Sequence, residues 1–156
     1  MNLQEEILKI KNEMIDEFDK RVEGLKVDEQ EFPQYGDEYW CIGDWLLPTR
    51  SVYEDDYTDR GRKYSGNIYK TKEQAEFAVE KLKVEAELRK FSRPFKEDED
   101  NYFIQINSSY NNIVIDTEEG YQTQGTTYYE TRNETLLAID TVGEDRIKKY
   151  IFGVEG

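Results

Sequence analysis

The chain has 156 residues, of which 37% are hydrophobic and 13% aromatic, and its formal net charge is −14. It contains no histidine and one cysteine, Cys41, which excludes Ser-His-Asp and Cys-His catalysis, the usual zinc sites and an internal disulfide. The aromatic content favours one folded domain with a small core over a disordered chain.

The N-terminal segment, residues 1–33, has the pattern of an amphipathic helix. Its apolar residues recur every three or four positions, which places them on one helical face. They are Leu3, Ile7, Ile10, Met14, Phe18, Val22 and Leu25. Two interpretations remain open: this face packs on its own domain, or, because the spacing is nearly that of a heptad, it forms a homodimer through residues 3–25.

Residues 36–96 are predicted to form a first unit, which begins with two strands. The first strand covers residues 38–42. The second begins at Trp45, and Pro48 bends it before it continues over residues 51–53. The charged segment 54–63 lacks periodicity, so we expect an exposed loop there.

A third strand and a helix complete this first unit. Residues 66–69 form the strand. Thr71 and Gln74 have the spacing of a capping box, so a helix is expected from there to about Phe91. The acidic run over residues 97–100 is expected to link this unit to the next.

Residues 100–156 are predicted to repeat this plan. Strands are expected over residues 102–106, 113–117 and 121–130, followed by a helix to Val142 and a short one over residues 144–152.

An internal repeat supports this reading. Residues 69–82 align without a gap on residues 129–142, which places Thr71 opposite Thr131 as a second helix cap. Residues 37–40 similarly resemble residues 100–103. The predicted fold is α+β: an N-terminal amphipathic helix, two βββα units with antiparallel sheet, and a short C-terminal helix. Residues 36–156 are expected to form one compact domain.

Charge is distributed unevenly along the chain. Residues 1–59 carry 17 acidic and 6 basic side chains, residues 60–96 carry 5 acidic and 11 basic, and residues 97–156 carry 13 acidic and 4 basic. A basic segment between two acidic ones indicates either a folded dipole or two separate binding faces.

Acidic clusters and two aromatic residues are the candidate partner-binding residues. The acidic ones are Glu54, Asp55, Asp56, Asp59, Glu97, Asp98, Glu99 and Asp100, and the aromatic ones, placed near turns, are Trp45 and Tyr57. Solvated loops are the alternative for the acidic clusters. No metal is predicted, because the segment DYTDRG lacks the alternating oxygen ligands of a calcium loop and no glutamate closes it.

Basic residues of the middle segment form a second candidate site. Arg60, Arg62, Lys63, Lys70 and Lys72 could contact phosphate, or they could instead pair with nearby acids. No Walker loop or GxGxxG motif accompanies them. With no catalytic motif, we expect neither catalytic residues nor a cofactor.

Three stretches carry a resemblance to a known group of proteins. They are GDEYWCI, GNIYKTKEQAEFAVEKLKVEAELRKF and AIDTVGEDRIKKYIFGVEG, which together span roughly residues 36–152. The chain resembles small proteins of unassigned function encoded by phages and prophages of Gram-positive bacteria. The resemblance implies a phage accessory protein, and such proteins include anti-CRISPR and other inhibitors of host defence.

Two functions are compatible with these observations. The first is a non-catalytic inhibitor whose acidic, DNA-mimicking surface and exposed aromatics bind a host nuclease with a basic nucleic-acid channel, such as a CRISPR-Cas effector. The second is a nucleic-acid- or nucleotide-binding accessory of phage replication or packaging that uses residues 60–96. No apolar run is long enough to span a membrane, so we expect a cytoplasmic protein of the bacterial host cell with no membrane partner.

Overall fold

A computed structural model describes residues 2–25 and 31–155. Within these ranges, five α-helices and two antiparallel strand pairs alternate, so the α+β class is confirmed. The elements are α1 (Leu3–Leu25), β1 (Glu38–Ile42), β2 (Pro48–Val52), α2 (Tyr57–Tyr64), α3 (Lys72–Arg89), β3 (Asn101–Asn107), β4 (Asn112–Glu118), α4 (Arg132–Val142) and α5 (Glu144–Ile151).

The first hairpin pairs β1 with β2, from Glu38 opposite Val52 to Ile42 opposite Pro48. The predicted start of the second strand at Trp45 is wrong, because Trp45 lies in a short 3₁₀ turn between the strands. Pro48 begins β2 instead of bending it. A strand tolerates proline at its first residue, where its missing N–H disrupts no ladder.

Helix α2 replaces the exposed loop that was expected over residues 54–63. The side chain of Asp56 caps its first turn and accepts a 2.8 Å hydrogen bond from the Asp59 amide. Its one buried residue is Asp59. A helix that buries a carboxylate in place of an apolar stripe shows no apolar periodicity, which explains the error.

The third strand expected in each half is reduced to isolated bridges, one at Tyr69 in the first half and two, at Tyr128 and Tyr129, in the second. Trp40 and Tyr69 exchange two backbone hydrogen bonds of 2.8 Å, and Tyr102 and Tyr129 exchange bonds of 3.3 and 2.8 Å. The predicted strands over residues 66–69 and 121–130 are therefore wrong. In the second segment Gly125 adopts a φ of 76°, which turns the chain out of an extended conformation.

These bridges also correct the register of the repeat. They make Trp40 equivalent to Tyr102, so that Tyr39 corresponds to Asn101, whereas the sequence alignment placed Tyr39 on Tyr102. Tyr39 and Asn101 are both completely buried, while Trp40 and Tyr102 are half-buried. A shift of one residue exchanges the two faces of a strand, so the structural register is the one that preserves the burial pattern.

The predicted helix caps are present in both halves. Thr71 and Gln74 form a capping box at α3, and the Thr131 side chain accepts a hydrogen bond from the Glu134 amide at α4. Gly143, with a φ of 97°, separates α4 from α5.

Two apolar clusters form the core. The smaller lies under the first hairpin and contains Tyr39, Cys41 and Tyr53. The larger lies among α3, α4 and α5 and contains Val84, Leu88, Tyr129, Ala138, Ile139, Val142 and Ile147. Helix α3 contacts the first hairpin as well as α4 and α5, so it joins the two halves.

Candidate partner-binding surface

The tip of the first hairpin presents the tryptophan that was predicted to contact a partner. Residues 43–47 connect Ile42 to Pro48, the last paired residues of the first hairpin. The Gly43 amide donates to the Leu47 carbonyl at 2.9 Å. The side chain of Trp45 is 93% exposed. An exposed tryptophan at a turn leaves a large apolar ring available to a partner.

The backbone of this tip is strained. Trp45 and Leu46 have φ values of 61° and 56°, in the left-handed region that bulky side chains rarely adopt. Gly43 is required by close packing, because a Cβ at this position would lie 2.5 Å from Oγ1 of Thr49. Strain of this kind persists where the surrounding structure holds it, and it is concentrated at binding sites.

A groove lies beside this tip, between the hairpin and helix α3. Its apolar lining comes from Leu46, Leu47, Pro48, Phe77, Val79 and Tyr150, and its volume is about 630 Å³. The rings of Phe77 and Tyr150 lie 5.1 Å apart, and Phe77 remains 40% exposed. This concavity, called the hairpin groove below, can accept an apolar or aromatic side chain.

Charged side chains, most of them from α3, border the hairpin groove. Glu73, Glu76 and Glu80 line it, spaced so that they share one helical face. Glu76 pairs with Lys72 at 3.2 Å and Glu80 with Lys83 at 2.7 Å. Within residues 2–25 and 31–155, Glu73 makes no ion pair. Lys83 and Lys149 also line the groove, so its apolar floor has a border of mixed charge in which Glu73 is the glutamate without an ion pair among the described residues.

The acidic cluster of residues 54–59 is divided between structural and exposed roles. Asp59 is only 3% exposed, accepts a 2.6 Å hydrogen bond from the Tyr39 hydroxyl and accepts another from the Glu54 amide at 2.7 Å. Burial opposes its ionisation, but these hydrogen bonds hold the pKa of its carboxyl below the ordinary value. Asp59 is thus engaged within the fold.

The other three acids of this cluster remain at the surface. Asp55 pairs with Arg60 at 3.1 Å, and Asp56 caps α2. The Arg60 side chain and the Tyr53 hydroxyl, which donate to Asp55, hold the pKa of its carboxyl low. Tyr57, the first residue of α2, is 93% exposed beside them. Glu54 and Tyr57 make no side-chain hydrogen bond or ion pair among the described residues, so they can meet a partner without breaking a contact of the fold.

The second acidic cluster, residues 97–100, is exposed in the turn before β3. Asp98 has a φ of 60°, and Glu99 pairs with Lys96 at 3.4 Å. Glu97 and Asp100 make no ion pair among the residues that the structure describes. This cluster is a second solvent-facing group of negative charges.

The five candidate phosphate contacts all have partners within the fold. Arg60 pairs with Asp55, Lys63 with Glu31 at 2.9 Å, and Lys72 with Glu76. Arg62 donates to the Tyr39 hydroxyl at 2.9 Å, and Nζ of Lys70 lies 5.4 Å from the centre of the Phe32 ring. Much of the local positive charge is therefore compensated by these neighbours.

Several groove residues were not identified from the sequence. Phe77, Leu46, Leu47, Tyr150 and the glutamates of α3 were not among the predicted partner-binding residues. The buried residues of α3 are Ala75, Val79, Val84 and Leu88. Phe77 is two residues from both Ala75 and Val79 but seven residues before Val84, so it shares a helical face with part of this buried set. Helical periodicity therefore gave no signal that Phe77 is exposed.

Comparisons with known proteins identify no relative of this chain, so the proposal below is argued from the surface. No family model, curated protein or solved structure matches the chain. Among the described residues, no three acidic or cysteine side chains are grouped to hold a metal ion. In the same part of the chain, no helix is both long enough and apolar enough to cross a membrane.

Proposed function

We propose that the protein is a non-catalytic inhibitor that binds a nucleic-acid-processing protein of host defence, a CRISPR-Cas effector nuclease being one such class. The observation that carries this proposal is the exposed Trp45, held on a strained hairpin tip beside an apolar groove. A rigid aromatic residue next to a groove is the usual anchor of a protein interface.

The charge of the surface supports a basic partner. A net charge of −14 attracts proteins whose channels hold nucleic acid with lysine and arginine. Among the glutamates next to the apolar floor of the hairpin groove, Glu73 has no ion-pair partner in the described part of the chain, whereas Glu76 and Glu80 are paired with lysines of α3. A partner loop with an apolar side chain flanked by basic residues would complement both features.

Direct binding of nucleic acid is less well supported. A phosphate at residues 60–72 would have to displace Asp55, Glu31 and Glu76 from Arg60, Lys63 and Lys72. It would also approach a strongly acidic chain, which repels it at low salt.

The proposal is tested by parallel capture from host lysate with three baits: the unchanged protein, Trp45→Ala and Tyr110→Ala. Tyr110 is also strongly exposed but lies in the turn between β3 and β4, so its variant is a matched control. We expect the unchanged protein and Tyr110→Ala to retain a basic nucleic-acid-processing protein that Trp45→Ala loses.

The retained protein is then assayed for its own activity with each variant added. Inhibition by the unchanged chain and by Tyr110→Ala, but not by Trp45→Ala, is the expected result. Equal capture by all three baits, or salt-sensitive retention of the chain itself on DNA in place of a protein partner, would reject the proposal.

A further inference from the structure

Helix α1 exposes a continuous apolar face. Every described side chain of the helix is exposed, and the large apolar ones are Leu3, Ile7, Leu8, Ile10, Met14, Ile15, Phe18 and Val22. A contiguous apolar surface of this size is rare on a monomer and marks an interface. The helix has no buried contact with the rest of the described chain that would cover it.

Two basic residues interrupt this face. Lys11 lies among Ile7, Met14, Ile15 and Phe18 in the same surface concavity. Arg21 follows Phe18 by three residues, which places it at the edge of the face. Within the described part of the chain, neither has a carboxylate partner, since the ion pair of α1 joins Lys9 to Glu13. An interface formed by this face must supply negative charge to both.

We propose that α1 pairs with α1 of a second copy of this chain in an antiparallel arrangement centred near Met14. A parallel pair would place Lys11 against Lys11 of the second copy inside the apolar seam, where like charges repel. Reversing one helix separates these lysines and brings each toward the acidic residues of the other copy.

Helical geometry identifies the residues that meet. Asp19 follows Phe18 directly, and Asp19 and Lys11 lie toward the same side of the apolar face. A two-fold axis perpendicular to both helices places each flank of one α1 against the same flank of α1 in the second copy. With Met14 opposite Met14, Lys11 and Asp19 of the second copy differ by about 3 Å along the axis, within reach of a lysine side chain. Arg21 likewise comes level with Glu6 of the second copy.

A charge-exchange cycle in the full chain tests this arrangement, with the dimer dissociation constant measured by sedimentation equilibrium. Lys11→Glu and Asp19→Lys are each expected to raise that constant about tenfold, because each dimer loses two ion pairs and gains two repulsions. The double variant is expected to restore it. Lys11 and Asp19 of one helix are two turns apart, so the rescue must act between copies. Lys20→Glu makes the same charge change on the opposite face of α1, so this control variant should leave the dimer dissociation constant unchanged.

Disulfide formation reports the orientation. Met14→Cys is expected to cross-link two copies readily, whereas Leu3→Cys is not, because antiparallel helices place the two third residues about 33 Å apart. A chain that stays monomeric, efficient cross-linking through Leu3→Cys, or failure of the double charge exchange to restore pairing would each overturn the proposal.

Discussion

The hydroxyl of Tyr39 donates a 2.6 Å hydrogen bond to Oδ1 of Asp59, and this contact ties β1 to helix α2. The same carboxylate accepts from the Glu54 amide, and the Tyr39 hydroxyl accepts from Arg62. A single buried charge thus connects the hairpin, the loop and the helix. Buried charged hydrogen bonds of this kind contribute more to stability than neutral ones.

Replacing Asp59 with asparagine should destabilise the protein by about 2 kcal/mol at neutral pH. The asparagine has one acceptor oxygen, so its NH2 group would face either the Glu54 N–H or the Tyr39 hydroxyl, and one of the two present hydrogen bonds would be lost. The pKa of Asp59 is lowered in the folded state, so its contribution is present above the unfolded value of about 4 and is lost as pH falls through the folded value. Urea unfolding from pH 7 to pH 2 should show a shallower acid dependence for Asp59→Asn. Asp98→Asn, at an exposed turn, is the control. Parallel curves for the wild type and Asp59→Asn would contradict the assignment.

Asn101, which occupies the position equivalent to Tyr39, organises the second half. Its Nδ2 lies 2.8, 2.8 and 3.1 Å from the carbonyl oxygens of Lys96, Glu99 and Glu118, so its two hydrogens are shared among three acceptors. In Asn101→Asp a carboxylate oxygen would face these carbonyls, and we expect a loss of about 3 kcal/mol in the free energy of unfolding. Asn112→Asp changes an exposed residue at the start of β4 and should cost far less. Similar losses in the two variants would show that the network is dispensable.

Glu87 and Arg146 join α3 to α5 through two hydrogen bonds of 2.9 and 3.1 Å. The Arg146 side chain holds the pKa of Glu87 below its ordinary value. Because both side chains are about a third exposed, a double-mutant cycle with Glu87→Gln and Arg146→Met should give a coupling of only about 1 kcal/mol, decreasing with added salt. A coupling near zero at low salt would mean that the pair does not hold the helices together.

The close approach of Gly43 to Thr49 predicts a specific rescue. Gly43→Ala should lower the free energy of unfolding by about 1 to 3 kcal/mol, because its methyl group would meet Oγ1 of Thr49. Adding Thr49→Ala removes the obstacle and should recover part of that loss. Steric conflict would not be the cause if Thr49→Ala lowered the free energy of unfolding of the Gly43→Ala variant as much as it lowers that of the wild type.

The sequence predicted elements whose signals are local. The strand Glu38–Ile42, the caps at Thr71 and Thr131, and the break at Gly143 all follow from patterns within a few residues. Helix α2 was missed because its stability comes from the distant Tyr39, which satisfies Asp59. The isolated bridges at Tyr69, Tyr128 and Tyr129 were predicted as strands because their β-branched and aromatic neighbours suit strands.

The binding surface was predicted only in part, for a similar reason. Trp45 and Tyr57 were selected because they lie near turns, and both are exposed. The groove needed the hairpin and α3 to be brought together, and no spacing within either segment indicates that Leu47 lies near Phe77 and Tyr150. Asp59 resembles its exposed neighbours in sequence, and only the fold distinguishes it.

Competition with nucleic acid tests the proposed function most directly. The captured partner is immobilised, and its dissociation constant for this protein is measured while its nucleic-acid substrate is added. The proposed function predicts that the apparent constant rises in proportion to the nucleic acid, and that Trp45→Ala alone raises it roughly thirtyfold, the effect of losing an interface anchor. An affinity that stays constant at saturating nucleic acid would contradict it.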